Sequence, residues 1–135
     1  MKQIEVVAAI VIRDDKILCL QRDAHKFSYL SYKFEFPGGK VELGETVEAA
    51  LYREILEELD LRVEIQKKFL TVDHKYPDFE IILHSFICRA LASEFKLKEH
   101  ISYKWLKPCE IKELDWAEAD LPIVAKLMEE DERIA

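Results

Sequence analysis

The stretch GGKVELGETVEAALYREILEELDL, residues 38–61, determines how this sequence is interpreted. Its second half has the apolar period of a helix, and Thr46, a typical N-cap residue, comes directly before it. We therefore predict a helix over residues 47–59. Glu48 falls in its first turn, where a carboxylate complements the positive end of the helix dipole.

Three glutamates of this predicted helix share one surface. Glu54, Glu57 and Glu58 have the i, i+3, i+4 spacing of helix neighbours, and the apolar Leu51 and Ile55 border them. Carboxylates at this spacing repel one another, whereas a divalent cation between them would be bound by oxygen ligands of the kind that Mg²⁺ prefers. The pattern thus has two interpretations, an ordinary solvated face and a metal site.

The glycines before the helix favour the metal site. Gly38 and Gly39 permit positive φ values and a close approach of the backbone to a ligand, and Gly44 permits a tight turn into the helix. The alternative is a simple glycine-rich turn that joins a strand to a helix. The G-x-x-x-x-G-K-[ST] pattern of phosphate-binding loops is absent, so we expect phosphate to be held through metal ions.

The spacing of the whole stretch resembles the Nudix box, G-x5-E-x7-R-E-U-x-E-E-x-G-U, in which U is an aliphatic residue. Gly39 and Glu45 match its first two fixed positions, and residues 53–61 match the rest except at Asp60, where the family has glycine. Aspartate tolerates the left-handed conformation common after a helix, so we expect a modest stability cost and no loss of chemistry. The segment EFPGGK, residues 35–40, and both flanks of the chain are similar to the branch of MutT and the CTP pyrophosphohydrolases.

The resemblance implies a hydrolase that acts on nucleoside diphosphates linked to another group, with Mg²⁺, or alternatively Mn²⁺, as cofactor. It implies metal binding by the carboxylates and one backbone carbonyl of Glu54, Glu57, Glu58 and Gly39 (or Gly38). Arg53 would orient these carboxylates, and Glu45 would support the loop. Bound metals neutralise the polyphosphate and lower the pKa of the attacking water.

In the MutT branch a general base can come from outside the box, just before a strand that carries tryptophan, with a box glutamate as the alternative source. Glu99 stands at that place in KLKEHISYKW, so the resemblance implies Glu99 as the base, with His100 as the alternative. The competing interpretation of Glu99 is an ordinary exposed glutamate in a loop. His84 is interpreted as a strand histidine with a satisfied partner rather than a catalytic group.

Substrate recognition is expected from residues on either side of the box. By the MutT pattern, Arg22 would contact the phosphate or sugar, and Glu35 and Phe36 would line the approach to Gly38. Asp120 stands where MutT proteins carry a base-recognising asparagine, and a carboxylate there can accept hydrogen bonds from a base amino group. The competing and compatible role for Asp120 is that of N-cap of the last helix.

Length and composition limit the function classes. At 135 residues the chain fits a single domain over residues 1–135, and its net charge of −7 argues against nucleic acid as a partner. No apolar run is long enough to span a bilayer. The three cysteines are odd in number and widely separated, which is typical of reduced thiols in a cytoplasmic protein. We expect a monomer or weak homodimer.

Strand-like segments and two helices alternate along the chain. We predict strands at 4–12, 17–21, 62–73, 80–90 and 102–106, a short segment at 33–36, and a last helix at 122–130. This order predicts an α/β domain with a mixed sheet between helices on its two faces. The resemblance implies the Nudix fold, which agrees with this architecture.

The leading hypothesis is a Mg²⁺-dependent nucleoside triphosphate pyrophosphohydrolase that releases a nucleoside monophosphate and pyrophosphate in nucleotide-pool sanitation. CTP, dCTP or 5-substituted analogues are the first candidates as substrate, followed by 8-oxo-dGTP. ADP-ribose or another nucleoside-diphosphate derivative is the alternative within the enzyme class, and Pro77 is a weak signal for it. A nucleotide-sensing module without turnover is the alternative from another class.

Overall fold

Strand β1 (Gln3–Arg13) lies at the centre of a mixed sheet in the computed structural model, which describes residues 2–134. The other elements follow in chain order as β2 (Lys16–Arg22), β3 (Phe34–Glu35), β4 (Gly38–Lys40), α1 (Val47–Leu59), β5 (Val63–Lys75), β6 (Glu80–Ala90), β7 (His100–Leu106) and α2 (Leu121–Ile134). Short 3-10 turns at Ile111–Glu113 and Glu118–Asp120 precede α2. The predicted strands and helices are all present, with ends that differ by a few residues.

The sheet combines both strand directions. Its main order is β3-β2-β1-β6-β5, while β4 pairs with β1 and β7 pairs with β2. β1 and β6 run parallel, and the other pairs are antiparallel. The mixed sheet predicted from the sequence is therefore confirmed.

Side chains of β1 alternate between two hydrophobic cores. Val7, Ala9 and Val11 pack in the core of helix α1, whereas Ala8 and Ile10 pack in the core of helix α2. All five are at most 2% exposed, as expected for a strand covered on both faces. Since successive strand residues point to opposite faces, the two helices cover opposite sides of the sheet, as predicted.

Helix α1 begins and ends where its sequence predicts. The Oγ1 of Thr46 accepts a hydrogen bond of 3.1 Å from the backbone N–H of Ala49, which is the N-cap contact. Asp60 has left-handed backbone angles, φ 51° and ψ 39°, and its N–H donates to the carbonyl of Leu56. Asp60 thus fills the glycine position of the box as expected.

Helix α2 begins at Leu121 and continues to Ile134, several residues beyond its predicted end at 130. Within residues 2–134, neither helix has the length and apolarity needed to cross a membrane. The three cysteines are free thiols; Cys19 and Cys88 are buried, and Cys109 is exposed.

Candidate active site

The two glycines before α1 form strand β4, not a loop. Gly38 is paired with Ala8 of β1, and a Cβ at Gly38 would collide with the carbonyl oxygen of Val7. A Cβ at Gly39 would collide with the carboxylate of Glu54. The expectation of positive φ at these two positions is wrong, because both are needed for close backbone approach instead.

Gly44 is the glycine that adopts the left-handed region, with φ 83°, in the turn before α1. The prediction of a tight turn there is confirmed. Its role differs from that of Gly38 and Gly39, because nothing lies near its missing side chain and only its backbone conformation favours glycine.

Glu58 is the most enclosed of the three box glutamates. It is 5% exposed, and one of its carboxylate oxygens accepts a 3.0 Å hydrogen bond from the N–H of Gly38. Burial, together with the nearby charge of Glu35, raises the pKa of Glu58 to about 9. A cation at this carboxylate would stabilise its ionised form.

Glu54 and Glu57 differ in their surroundings. Burial raises the pKa of Glu54, and its pairing with Arg53 opposes that shift. The side chain of Glu57 is 59% exposed and lies one helical turn beyond Arg53, whose Nη1 is 3.2 Å from its Oε2. The solvated-face interpretation thus fits Glu57 in part and does not fit Glu58.

Arg53 connects the acidic helix to the preceding loop. Its Nη1 donates to Glu54 at 2.9 Å and to Glu57, its Nε donates to Glu45 at 2.7 Å, and its Nη2 donates to Glu45 and to the carbonyl of Lys40. These bonds raise the pKa of Arg53 further and lower the pKa of Glu45 to about 2. Glu45 also accepts from the N–H of Glu42, so it fixes the loop.

The donor set suits a hard divalent cation. The carboxylates of Glu54, Glu57 and Glu58 and the backbone carbonyl of Gly39 are oxygen donors of the kind that such a cation prefers, and burial raises the pKa of both Glu54 and Glu58. Within residues 2–134, no three acidic, histidine or cysteine side chains already converge as a metal cluster. Arg53 instead occupies the carboxylates of Glu54 and Glu57.

A cavity of about 180 Å³ opens beside Glu58. Its lining combines a cation, several carboxylates and two histidines, from Arg22, Asp23, Ala24, His25, Glu35, Glu58, Glu99 and His100. The structure thus brings the predicted base Glu99 and the predicted phosphate contact Arg22 to one cavity with a box glutamate. A larger groove of about 390 Å³ near the β1–β2 turn contains none of the predicted site residues.

Two partners hold the carboxylate of Glu35. Its Oε1 lies 3.0 Å from Nε of Arg22, and its Oε2 lies 2.9 Å from Nε2 of His100. The side chain of His100 is only 4% exposed, so it is a nearly buried part of the cavity wall. The sequence offers no signal for this contact, because Glu35 and His100 are 65 residues apart.

Asp120, the predicted base-recognition residue, is nearly buried and is not among the residues that line this cavity. It is 7% exposed, and its Oδ1 accepts a long hydrogen bond of 3.5 Å from the N–H of Phe36. Burial, and then the charge of Glu35, raises the pKa of Asp120 well above its usual value. The ring of Phe36 is buried and lies 4.6 Å from that of Trp116, so direct contact of this ring with a nucleotide stays a prediction.

Aromatic rings cluster next to Asp120. Tyr29 stacks on Tyr76 with ring centroids 5.3 Å apart, and Phe27 stacks on Tyr29 and Phe79. The hydroxyl of Tyr76 accepts from the N–H of Ala119, directly before Asp120. The irregular segment 23–33 carries part of this cluster and shows no period that could have identified it.

The fold and the box together define a Nudix hydrolase. The chain belongs to the Nudix family, since the model of the NUDIX domain matches residues 2–127. It is 36% identical to the CTP pyrophosphohydrolase of Escherichia coli K12, over 95% of this chain and 93% of that protein. It is 29% identical to the 8-oxo-dGTP diphosphatase of the same organism, over 94% and 98% of the two chains.

A solved structure agrees with this assignment. The solution structure of a MutT protein of the Nudix hydrolase family from methicillin-resistant Staphylococcus aureus is 44% identical in sequence, with a TM-score of 0.77. The match covers 96% of this chain and 99% of that one. The predictions of the Nudix fold and of a hydrolase that acts on nucleotide phosphoanhydrides are confirmed. Nudix hydrolases generally use a divalent metal.

Proposed function

We propose that this protein is a Mg²⁺-dependent nucleoside triphosphate pyrophosphohydrolase that acts in nucleotide-pool sanitation. The observation that carries the proposal is the juxtaposition, in one cavity, of the buried carboxylate of Glu58, the guanidinium of Arg22 and the carboxylate of Glu99. A metal-binding acid, a phosphate-binding cation and a proton acceptor are the groups that metal-assisted hydrolysis of a phosphoanhydride requires.

Each residue has a defined part in this proposal. Glu54, Glu57, Glu58 and the carbonyl of Gly39 would hold Mg²⁺, with Mn²⁺ as a substitute. The bound metal supplies charge neutralisation and lowers the pKa of the attacking water. Arg53 holds the carboxylates in place through the contacts described above, and Glu45 holds Arg53.

The protein side chains handle the water and the nucleotide. Glu99 is exposed at the cavity and would accept the proton of the attacking water. Arg22 would bind the phosphate chain, and Asp120 would receive the base. Because the relatives are named for CTP and for 8-oxo-dGTP, we propose CTP, dCTP or a 5-substituted analogue first and 8-oxo-dGTP second.

The other hypotheses are less well supported. Pro77 lies in a tight β5–β6 turn closed by a hydrogen bond of 2.8 Å from Tyr76 N–H to the Phe79 carbonyl, and this geometry has no specific relation to ADP-ribose. A sensing module without turnover would have no use for Glu58, whose ionised form is destabilised by burial and by the charge of Glu35. The cytoplasmic location and a monomer or weak homodimer remain predictions.

A substrate panel with product identification tests the proposed function. We expect release of pyrophosphate and a nucleoside monophosphate from at least one triphosphate of the panel, only when Mg²⁺ or Mn²⁺ is present. If the dominant reaction were release of inorganic phosphate from the triphosphates, or release of AMP from ADP-ribose, that activity would take the place of the proposed one. Absence of turnover with every nucleotide and both metals would contradict it.

The second prediction concerns base selection. Replacing Asp120 with alanine is expected to change the ratio of kcat/KM values between the preferred base and other bases about tenfold, because a buried acceptor would be lost. Asp120→Asn keeps an acceptor for the Phe36 N–H and separates loss of recognition from loss of that support. Steady-state kinetics on the panel measure both variants.

Asp115→Ala is the matched control for Asp120→Ala. Asp115 precedes the same helix, is 75% exposed and is paired with Lys33, so its loss should leave base preference unchanged. An equal loss of kcat/KM for every nucleotide in Asp120→Ala would show that this residue supports the structure only.

A further inference from the structure

Arg22, Glu35 and His100 come from three neighbouring strands and meet at the cavity. Strand β2 lies between β3 and β7, and Arg22 is paired with His100 across β2 and β7. The β2–β7 register shifts between Gln21 and Arg22. Such bulges redirect side chains next to active sites, and here the bulge lies at the residue whose side chain enters the cavity.

Glu35 connects the other two side chains. Each of its carboxylate oxygens has its own partner, Arg22 for Oε1 at 3.0 Å and His100 for Oε2 at 2.9 Å. A carboxylate held at both oxygens has little rotational freedom. The Glu35 side chain is 21% exposed and that of Arg22 is 30% exposed, so the connected group still reaches the cavity.

The two ring nitrogens of His100 define its role. Nε2 faces a carboxylate, which can only accept, so Nε2 carries a hydrogen and donates a hydrogen bond to Glu35. Nδ1 is buried and has no hydrogen-bond partner in the part of the chain that the structure describes. Since one nitrogen is used and the other is closed off from solvent, His100 is not placed to take a proton from an attacking water.

Arg22 is the cavity side chain whose position matters most for binding an anion, and Glu35 holds it. Of the eight residues that line the cavity, Arg22 is the one with a permanent positive charge, and four are acidic: Asp23, Glu35, Glu58 and Glu99. A long arginine side chain loses conformational freedom when it binds an anion. An arginine that is already held in position loses less on binding.

We propose that His100 is a positioning residue that acts through Glu35. It fixes the Glu35 carboxylate, which holds the guanidinium of Arg22 at the edge of the cavity, ready for the phosphate chain of the substrate. This inference rests on the proposed nucleotide hydrolysis. It assigns to His100 a role distinct from that of a general base, and to Glu35 a role distinct from direct contact with the nucleotide.

Kinetics of matched His100 variants test the proposal. His100→Phe keeps a ring of similar size but has no donor for Glu35, and we expect KM to rise about tenfold while kcat changes less than about threefold. His100→Gln has an amide N–H that can donate to Glu35, so it should return KM to within about threefold of the parent value. His84→Phe is the control, since His84 also contacts a glutamate, Glu5 at 2.7 Å, but does not line the cavity.

A double-mutant cycle with Arg22→Gln identifies the route of the effect. If His100 acts through Arg22, His100→Phe adds no further increase in KM when Arg22 is already replaced. Additive increases in KM would overturn the proposal. It would also be overturned if His100→Phe abolished kcat and removed the acidic limb of the pH–rate profile, which is the result expected of a general base.

A measurement without substrate separates this inference from the proposed function. In the unliganded protein, ¹⁵N relaxation of the Arg22 Nε–H reports how firmly this side chain is held. We expect greater mobility in His100→Phe and restored order in His100→Gln, even if no nucleotide were hydrolysed by the parent protein. Unchanged mobility of Arg22 in His100→Phe would overturn the proposal.

Discussion

Replacing Glu57 with glutamine is expected to lower kcat by about three orders of magnitude, since loss of a group that only hydrogen-bonds to a metal ligand already costs about 10–100-fold. Glutamine keeps the shape of the side chain and removes the negative charge. Because Glu57 is 59% exposed, the free energy of unfolding should change by less than about 1 kcal/mol. The fold should therefore remain intact while hydrolysis fails.

Two measurements test this expectation for Glu57→Gln. Steady-state hydrolysis reports kcat, and thermal unfolding with and without Mg²⁺ reports metal binding, because a ligand that binds the folded state raises Tm. The rise in Tm should be smaller in Glu57→Gln than in the parent protein. Glu48→Gln, an exposed position on the same helix outside the predicted metal site, is the matched control. Near-normal activity and an unchanged rise in Tm would remove Glu57 from the metal site.

Replacing Gly38 or Gly39 with alanine is expected to have different effects, a loss of stability in the first case and a loss of activity in the second. In Gly38→Ala the new methyl group collides with the backbone carbonyl of Val7, so β4 must separate from β1, at a cost of about 3 kcal/mol or more in the free energy of unfolding. In Gly39→Ala the methyl group collides with the carboxylate of Glu54, which is the end of a side chain and can turn away. We therefore expect Gly39→Ala to remain folded and to lose most of its activity.

Urea unfolding followed by circular dichroism, combined with kcat measurements, distinguishes the two glycine variants. Gly44→Ala is the reference, because it adds no collision and only strains a positive φ, at a cost of about 1 kcal/mol. Equal stability losses in Gly38→Ala and Gly39→Ala would contradict the distinction. Full activity in Gly39→Ala would show that the position of Glu54 does not matter for turnover.

Local features of the sequence were sufficient to predict helix α1 and its acidic surface. The N-cap at Thr46, the end at Asp60 and the spacing of the glutamates are properties of one continuous segment, so periodicity and capping chemistry describe them. The alternation of Val7, Ala8 and Ala9 between two cores also follows from a strand that is apolar throughout.

Contacts between distant segments could not be predicted in the same way. Position 38 requires glycine because of its close contact with β1, thirty residues earlier in the chain, and only the pairing of β4 with β1 reveals this contact. The contact of Glu35 with His100 depends on the adjacency of β3, β2 and β7, which no local pattern encodes. The burial of Phe36 against Trp116 is likewise a contact between distant segments, which no local pattern predicts.

The contacts of Arg53 bear on whether the protein needs a bound metal ion in order to fold. Its guanidinium donates hydrogen bonds to Glu45, Glu54 and Glu57 and to the Lys40 carbonyl, so the helix and its loop are joined by groups of the chain itself. In many small metalloproteins the ion is needed for folding, and chelators unfold them. Here the contacts of Arg53 join the helix and its loop without an ion, so we expect that removal of divalent cations would stop hydrolysis and leave the protein folded.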